Sequence, residues 1–310
     1  FGVKFGMMVC FDIWFSFPGF ELSEQNNIEN FVLSSWWENN GTLPLVSAVN
    51  MQQGFSKSVN GNLLACSVGL GFMNSGSGIY DGVNEEQNFN FDSEFLVKKD
   101  VLLIKELYKS PRSSSNQGNL KSKRIEIDSL SSVLSTKENT NNFITSTKPT
   151  TLISLPYYSS SNPIQPVAGN SLYFSLENND LECTFNISIS DNYMGNSTLI
   201  AMAYRGPYFD DLLQADVCAI YRCSDYDFFG RGNCATLTLE SDVSFDYISI
   251  TGNFESSQNI FTMASQNNGQ LLPMESILRV PNYSLNSIQM EIYNQILVNV
   301  VMYAPSVTQK

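Results

Sequence analysis

The stretch from Val3 to Asp12, which reads VKFGMMVCFD, decides the fold of the first part of the chain. Its apolar residues up to Val9 predict a β-strand, and the aromatic residues that follow lead into a predicted helix. Cys10 therefore stands at the carboxyl end of the strand, where the helix begins. A helix N-terminus stabilises a thiolate over a thiol, which favours a nucleophilic cysteine here. The alternative interpretation is a buried free cysteine that packs as a small apolar side chain.

Strands and helices alternate through the residues that follow this stretch. The apolar runs have the length of buried strands, and the stretches between them have helical character. The predicted elements are, in chain order, a strand at 5–10, a helix near 19–27, a strand at 30–35, a helix near 45–59 and a strand at 62–68. This alternation predicts one half of an α/β sandwich over residues 1–108, ending in an extended arm at 95–107.

The pattern changes in the second half of the chain. Residues 109–170 are rich in serine, threonine and asparagine and predict a polar linker and connecting arm. From residue 171 to residue 310, apolar and polar residues alternate, as in Cys183, Phe185 and Ile187. Alternation with period two predicts an antiparallel, mostly β domain of eight or more strands. The expected fold class is therefore α+β overall.

Composition and charge exclude several classes of function. The chain has 310 residues and a formal net charge of −13, which argues against a nucleic-acid or anionic-membrane partner. No segment offers the roughly 18 consecutive apolar residues of a membrane span. The sequence contains no histidine. Mechanisms of the Ser-His-Asp or Cys-His type and histidine-ligated metals are therefore excluded, and we expect neither a cofactor nor a metal.

The six cysteines divide unequally between the two parts of the chain. Cys10 and Cys66 lie in the first part and are expected to stay free. The cysteines of the β domain are Cys183, Cys218, Cys223 and Cys234. Four cysteines in one domain predict two disulfides, with three possible connectivities. A short loop containing glycine favours the pair Cys223–Cys234, which leaves Cys183 to reach Cys218. A zinc site is the rival interpretation, but the spacing lacks a C-x2-C pair.

Four asparagines stand in the Asn-X-Ser/Thr pattern of glycosylation acceptors. They are Asn40, Asn186, Asn196 and Asn282. Together with the cysteine pattern, they predict a glycoprotein that passes through an oxidising secretory route and is secreted or extracellular.

Several segments resemble the vanin/biotinidase branch of the nitrilase (carbon–nitrogen hydrolase) superfamily. In the first part they are Phe5-Gly6, Cys10-Phe11-Asp12-Ile13, Pro18, Ser35-Trp36-Trp37, Leu45-Val46-Ser47-Ala48-Val49 and Gly76-Ser77-Gly78-Ile79-Tyr80. In the second part, residues 245–254 and the spacing of Cys218, Cys223 and Cys234 are similar to the C-terminal base domain of this branch. The resemblance implies that a nitrilase-type α/β sandwich, present here in its C-terminal part, precedes a vanin-type β base domain.

The resemblance also implies an activity and the roles of three residues. Cys10 would be the nucleophile and Trp37 a wall of the substrate pocket, while the backbone N–H of Phe11 would stabilise the oxyanion. Asp12 would either cap the turn or order the site from behind. The substrate would be a small-molecule linear amide of the pantetheine or biotin-amide type. The catalytic glutamate and lysine of the family would lie upstream, because we interpret this chain as the C-terminal part of a longer protein, inactive alone.

The chain departs from the vanin pattern in two places. The segment Leu64-Ala65-Cys66-Ser67 stands where vanins carry an asparagine followed by His-Tyr, and the vanin histidine after the nucleophile is Ser16 or Phe17 here. These changes put pantetheine specificity in doubt. They are the basis of an alternative hypothesis, a catalytically inactive, secreted vanin-like binding or carrier protein.

Overall fold

The structure is a computed structural model that describes residues 2–37, 48–67, 76–82, 88–90, 100–111, 121–127, 161–195, 197–208, 213–223, 241–254, 260–266, 272, 278–282, 287–297 and 299–307. Within these residues the protein is mostly β, with few helices, and its strands form three five-stranded sheets and one two-stranded sheet.

The first sheet has the strand order β1-β2-β3-β4-β5. Its strands are β1 (Gly6–Val9), β2 (Asn30–Ser35), β3 (Asn62–Ser67), β4 (Ser77–Asp81) and β5 (Asn88–Asn90). Strands β1, β2 and β3 are parallel, whereas β4 and β5 are antiparallel to their neighbours. The strands predicted at 30–35 and 62–68 are confirmed, and the first predicted strand is shorter than expected because a turn begins at Cys10.

Two α-helices accompany the first sheet. Helix α1 (Glu21–Gln25) is short and follows a 3-10 turn over Cys10–Trp14 and an irregular turn over Ser16–Phe20. Helix α2 (Ala48–Val59) confirms the helix predicted near 45–59, of which residues 45–47 lie outside the described part. Most of α2 is buried, because the first sheet lies on one side of it and a sheet of the second half lies on the other.

Strands β6 (Asp100–Lys105) and β7 (Ser122–Ile127) form a two-stranded antiparallel ribbon in the region of the predicted arm. Asparagines of the first sheet hold this region in place. The side-chain amide of Asn62 donates to the carbonyl oxygen of Tyr108 at 2.7 Å, and that of Asn88 donates to the carbonyl of Ile104 at 3.0 Å. Most of the predicted linker, including residues 128–160, lies outside the described residues.

The second half confirms the predicted antiparallel β structure. Its strands are β8 (Ser161–Ile164), β9 (Ser171–Asn178), β10 (Leu181–Ile189), β11 (Thr198–Tyr208), β12 (Leu213–Cys223), β13 (Ser244–Gly252), β14 (Phe261–Ser265), β15 (Leu278–Asn282), β16 (Ser287–Ile296) and β17 (Asn299–Val307). The order β14-β17-β12-β11-β8 forms the middle sheet, and β15-β16-β13-β10-β9 forms the outer sheet. The division of the chain at residues 108 and 170 stays a prediction.

The middle sheet is buried on both faces, because side chains of a strand point alternately to opposite sides. One face packs on α2 and the first sheet in what we call the first core, and the other packs on the outer sheet in the second core. In β12, Val217 and Ala219 belong to the first core, whereas Cys218 and Ile220 belong to the second. The middle sheet therefore separates the first core from the second core and contributes side chains to both.

Candidate active site around Cys10

The parallel strands bring three chain segments to one edge of the first sheet. In register, Val9 of β1 lies beside Ser34 of β2, which lies beside Cys66 of β3. Because carboxyl ends of parallel strands meet at the same edge, Cys10 comes to the edge where Trp37 follows β2 and Ser67 ends β3. The sequence-predicted residues Cys10, Phe11 and Trp37 are brought together here.

Cys10 has a backbone conformation that L-residues rarely adopt. Its φ is 50°, in the left-handed region, at the junction between β1 and the 3-10 turn. Holding a residue other than glycine there costs on the order of 1–3 kcal/mol, and such residues concentrate at active sites. The thiol is partly exposed, and its Sγ lies 4.0 Å from the carbonyl oxygen of Trp36. The sharp turn thus presents an accessible sulfur at the sheet edge.

Asp12 closes the turn from both sides. Its carboxylate Oδ2 accepts a hydrogen bond from the backbone N–H of Val9 at 2.9 Å, and its carbonyl oxygen accepts one from the N–H of Phe15 at 3.2 Å. Both contacts are to the backbone, as the capping interpretation of Asp12 requires. The carboxylate therefore stabilises the change of direction at Cys10.

Aromatic rings pack against one another along the Cys10 turn. The Phe11 ring lies 5.4 Å from Trp14 in an edge-to-face arrangement and 6.2 Å from Trp37, and Trp14 and Trp37 are 5.6 Å apart. Trp37 is only 4% exposed, whereas its neighbour Trp36 is 63% exposed. The structure places Trp37 against the Cys10 turn, and its role as a pocket wall stays a prediction.

Serine side chains connect the neighbouring strand ends. The N–H of Trp37 donates to Ser67 Oγ at 3.5 Å, and the N–H of Ser67 donates to Ser77 Oγ at 3.0 Å. The hydroxyl of Ser35 donates to the carbonyl of Cys66 at 3.4 Å. Sequence reasoning placed Ser77 in a family-like segment and Ser67 in a segment that departs from the vanin pattern, but it missed the contact between them. These bonds fix the loop ends around Cys10 relative to one another.

A contact from the other half of the chain has no signal in the sequence. Tyr303 of β17 is fully buried, and its ring centroid lies 5.5 Å from that of Trp14, edge to face. Sequence patterns identify buried strands but do not show which distant strand packs on which turn. The middle sheet therefore supplies part of the support for the Cys10 turn.

Two of the predicted disulfide residues, Cys183 and Cys218, lie in the second core. Cys183 and Cys218 form a disulfide with their Cα atoms 5.6 Å apart, and Cys10 and Cys66 are free thiols. Cys234 and the side chain of Cys223 lie outside the described residues, so their pairing stays a prediction.

One of the four glycosylation asparagines has a described side chain. Asn186 is exposed on β10, in register with Tyr173 of β9. Asn40, Asn196 and the side chain of Asn282 lie outside the described residues. Glycosylation at all four positions stays a prediction.

Two kinds of feature are absent from the described residues. The structured ranges contain no group of three or more Cys, Asp or Glu side chains that could hold a metal ion. No helix in the described part of the chain is long and apolar enough to cross a membrane.

Comparison with known proteins relates the chain to one family. Residues 151–302 match the family model described as the vanin C-terminal domain. Vanin-like protein 1 of Drosophila melanogaster is 42% identical over 83 residues, which are 26% of this chain and 14% of that protein. Biotinidase of Bos taurus is 32% identical over 122 residues, 38% of this chain and 22% of that protein. A pantetheine hydrolase of Homo sapiens is 30% identical over 112 residues, 36% of this chain and 21% of that protein.

Each alignment thus covers less than a quarter of the relative. The matched residues 151–302 nevertheless include the strands of the middle and outer sheets from β8 to β16 and the first part of β17. Through this C-terminal part, the chain is similar to the vanins and biotinidases.

Proposed function

We propose that the chain is part of a secreted amidase in which Cys10 attacks a linear carbon–nitrogen amide. The observation that carries the proposal is the left-handed backbone of Cys10 at the carboxyl edge of three parallel strands. Strained turns that expose a nucleophile between a strand and a helix are typical of hydrolases. The names of the bovine and human relatives, biotinidase and pantetheine hydrolase, support the same class of reaction.

The reaction proceeds in two steps. Cys10 Sγ attacks the amide carbonyl carbon, and the resulting oxyanion accepts a hydrogen bond from the backbone N–H of Phe11. The carbon–nitrogen bond then breaks, the amine leaves with a proton, and a thioester remains on Cys10. Water hydrolyses the thioester to the free acid and restores the thiol. The reaction also needs a general base and a second oxyanion donor, roles that a glutamate and a lysine fill in the family.

The outer face of the first sheet carries a row of apolar residues that are not buried, which favours a larger sandwich of the nitrilase type. Met7, Val32, Leu64 and Ile79 form a row across β1 to β4 in direct register, and none of them is buried. Met7 is 73% exposed. An α/β sandwich buries such a row against a second sheet. We infer that further chain completes this layer, and that the 310 residues alone are inactive.

A second candidate function is a binding or carrier protein without catalysis. Cys66 is exposed at the end of β3, and Ser67 there bonds to neighbouring backbone. These small residues occupy positions where vanins carry an asparagine and a His-Tyr pair. A site altered in this way could hold an amide without cleaving it.

Cys10→Ser in the full-length protein tests the proposal. We expect release of amine from pantetheine and from a biotinyl amide to fall by a factor of about a thousand or more, because a hydroxyl is far less ionised than a thiol. Cys66→Ser is the matched control, since Cys66 is an exposed thiol at the same sheet edge, and it should keep wild-type turnover. Turnover retained by Cys10→Ser would contradict the nucleophile assignment. Binding without turnover by the wild type would favour the carrier function.

Secretion and glycosylation complete the proposal. The Cys183–Cys218 disulfide fits an oxidising compartment, and Asn186 is exposed in the same domain. An enzyme with these features acts on small-molecule amides outside the cytosol.

A further inference from the structure

We propose that Tyr303 of the middle sheet is a positioning residue for the Cys10 nucleophile, acting through Trp14. This inference rests on the proposed function, and it adds a role for the C-terminal domain in the chemistry. Tyr303 contacts Trp14, the last residue of the turn that begins at Cys10. It supports the turn that holds the thiol and the Phe11 N–H in place.

Trp14 connects the turn to the middle sheet. It is the last residue of the 3-10 turn that begins at Cys10, so its position fixes the far end of that turn. Its ring is 2% exposed and lies edge to face against Tyr303, with an interplanar angle of 68°. On its other sides it meets the rings of Phe11 and Trp37. Because the Trp14 ring is packed on several sides, its position is fixed as long as these contacts are present.

Tyr303 is a firm support because of where it lies in the sheet. It is fully buried on β17, between Val217 of β12 and Phe261 of β14 in register. Its sequence neighbour Met302 points to the opposite face and is fully buried in the second core. Hydrogen-bonded strands on both sides and packed layers above and below keep the ring from moving.

The turn needs such a support. A cysteine with a left-handed backbone conformation persists only when the surrounding residues hold it in that conformation. The Asp12 bond to Val9 holds the start of the turn, and the Trp14 ring holds its end. Removing the Tyr303 ring opens space beside Trp14, so that Trp14 moves toward β17 and the turn relaxes. The sulfur and the Phe11 N–H then leave the geometry that attack requires.

Three variants of the full-length protein test the inference. Tyr303→Leu removes the ring, Tyr303→Phe keeps it, and Phe185→Leu removes a fully buried ring from the second core, far from the Cys10 turn. For each, we would measure kcat and KM on the amide substrate. We would also alkylate each folded variant with iodoacetamide at several pH values, below its unfolding temperature. The extent of Cys10 alkylation would then be measured on the peptide that contains Cys10, after digestion of the protein.

For Tyr303→Leu we expect kcat to fall by about ten- to a hundredfold with KM within about threefold, because displacement of a catalytic group by about 1 Å has effects of this size. The pH profile of alkylation should change as well. Tyr303→Phe should match the wild type in both readouts. Phe185→Leu should lower the unfolding temperature as much as Tyr303→Leu while leaving kcat and alkylation unchanged.

Equal behaviour of Tyr303→Leu and Phe185→Leu in kcat and alkylation would overturn the positioning role. If Tyr303→Leu does not fold, Tyr303→Met, whose unbranched and flexible side chain adapts to an irregular space, gives the same comparison. Failure of the proposed function is separate, because it shows as turnover retained by Cys10→Ser. The alkylation profile still decides the positioning role in that case.

Discussion

The two cores on either face of the middle sheet differ in what they are made of. The first core, between the middle sheet and α2, is rich in aromatic rings, such as Phe20, Phe55 and Phe261. The second core, between the middle and outer sheets, is rich in isoleucine and contains the Cys183–Cys218 disulfide. Flat sheets pack well through β-branched side chains. A helix, two turns and a sheet meet less regularly, and large rings fill the uneven space between them.

This difference separates stability from function. The second core fixes the middle sheet by regular packing and a covalent bond. The first core uses that fixed sheet as a support for the Cys10 turn, through the contact of Trp14 with Tyr303. Changes in the second core should therefore alter stability alone, whereas some changes in the first core should alter the thiol as well.

The largest effect is expected from removing a central ring of either core. Phe55 lies between Phe20 and Phe31 at 5.4 and 5.2 Å, and Phe185 stacks on Phe174 at 5.2 Å. We expect Phe55→Ala and Phe185→Ala each to lower the free energy of unfolding by about 3–5 kcal/mol.

Urea unfolding followed by both tryptophan fluorescence and far-UV circular dichroism checks this prediction. All three tryptophans precede residue 38, so fluorescence reports the first core. Because the cores share one sheet, the two signals should change together in both variants. Separate transitions in Phe55→Ala would show that the cores unfold independently.

A smaller effect is expected from removing the disulfide. Cys183 and Cys218 are 35 residues apart, and a cross-link of this length restricts the unfolded chain by about 2–4 kcal/mol. Cys183→Ala/Cys218→Ala should lose this stability in urea while Cys10 alkylation stays at the wild-type rate. The control is Cys66→Ala, an exposed thiol expected to change stability by less than about 0.5 kcal/mol. Slower alkylation in the double variant would show that the second core also acts on the site.

The smallest effect concerns Tyr80, the fully buried tyrosine of β4 whose hydroxyl donates to Gln52 Oε1 at 2.9 Å. Burial raises the pKa of Tyr80 well above its usual value of 10.0. The unfolded chain therefore loses this proton first, near pH 10, while the folded chain keeps it. The contribution of the Tyr80 proton to the free energy of unfolding is therefore complete below pH 10. Above pH 10 the free energy of unfolding falls by up to about 1.4 kcal/mol per pH unit.

Tyr80→Phe isolates this contribution. Stability measured in urea at pH 9, 10 and 11 should fall less steeply in Tyr80→Phe than in the wild type. Tyr173→Phe, at a tyrosine that is 76% exposed, is the matched control and should follow the wild type. Parallel curves for Tyr80→Phe and the wild type would refute a buried, proton-retaining Tyr80.

The elements that sequence reasoning located are those with a clear period and length. The runs at 30–35 and 62–67 are strands, 48–59 is a helix, and the alternation around Cys183 is an antiparallel strand. The placement of Cys10 at a strand end also followed from pattern alone. These features depend on residues close together in the chain.

The features that were missed depend on distant residues. Strand β17 was recognisable as apolar, yet nothing in residues 299–307 shows that one of its faces meets Trp14 and the other meets the outer sheet. The left-handed φ of Cys10 was equally hidden, because packing around the turn imposes it against the local preference. Gly252 is a third case: in register with Cys183, it has no room for a Cβ, which would lie 2.8 Å from Cys218 Sγ.

The burial of both faces of the middle sheet has a consequence for how the molecule could be divided. Helix α2 is joined to the second half of the chain by a hydrogen bond as well as by apolar contacts. Gln53 Nε2 donates to the carbonyl oxygen of Leu272 at 2.7 Å, and the Leu272 side chain lies in the second core. A protease cut between Ile127 and Ser161 would break the chain without separating these layers. The two fragments would stay associated like the subunits of a heterodimer, and each fragment alone would expose the apolar surface that the other one covers.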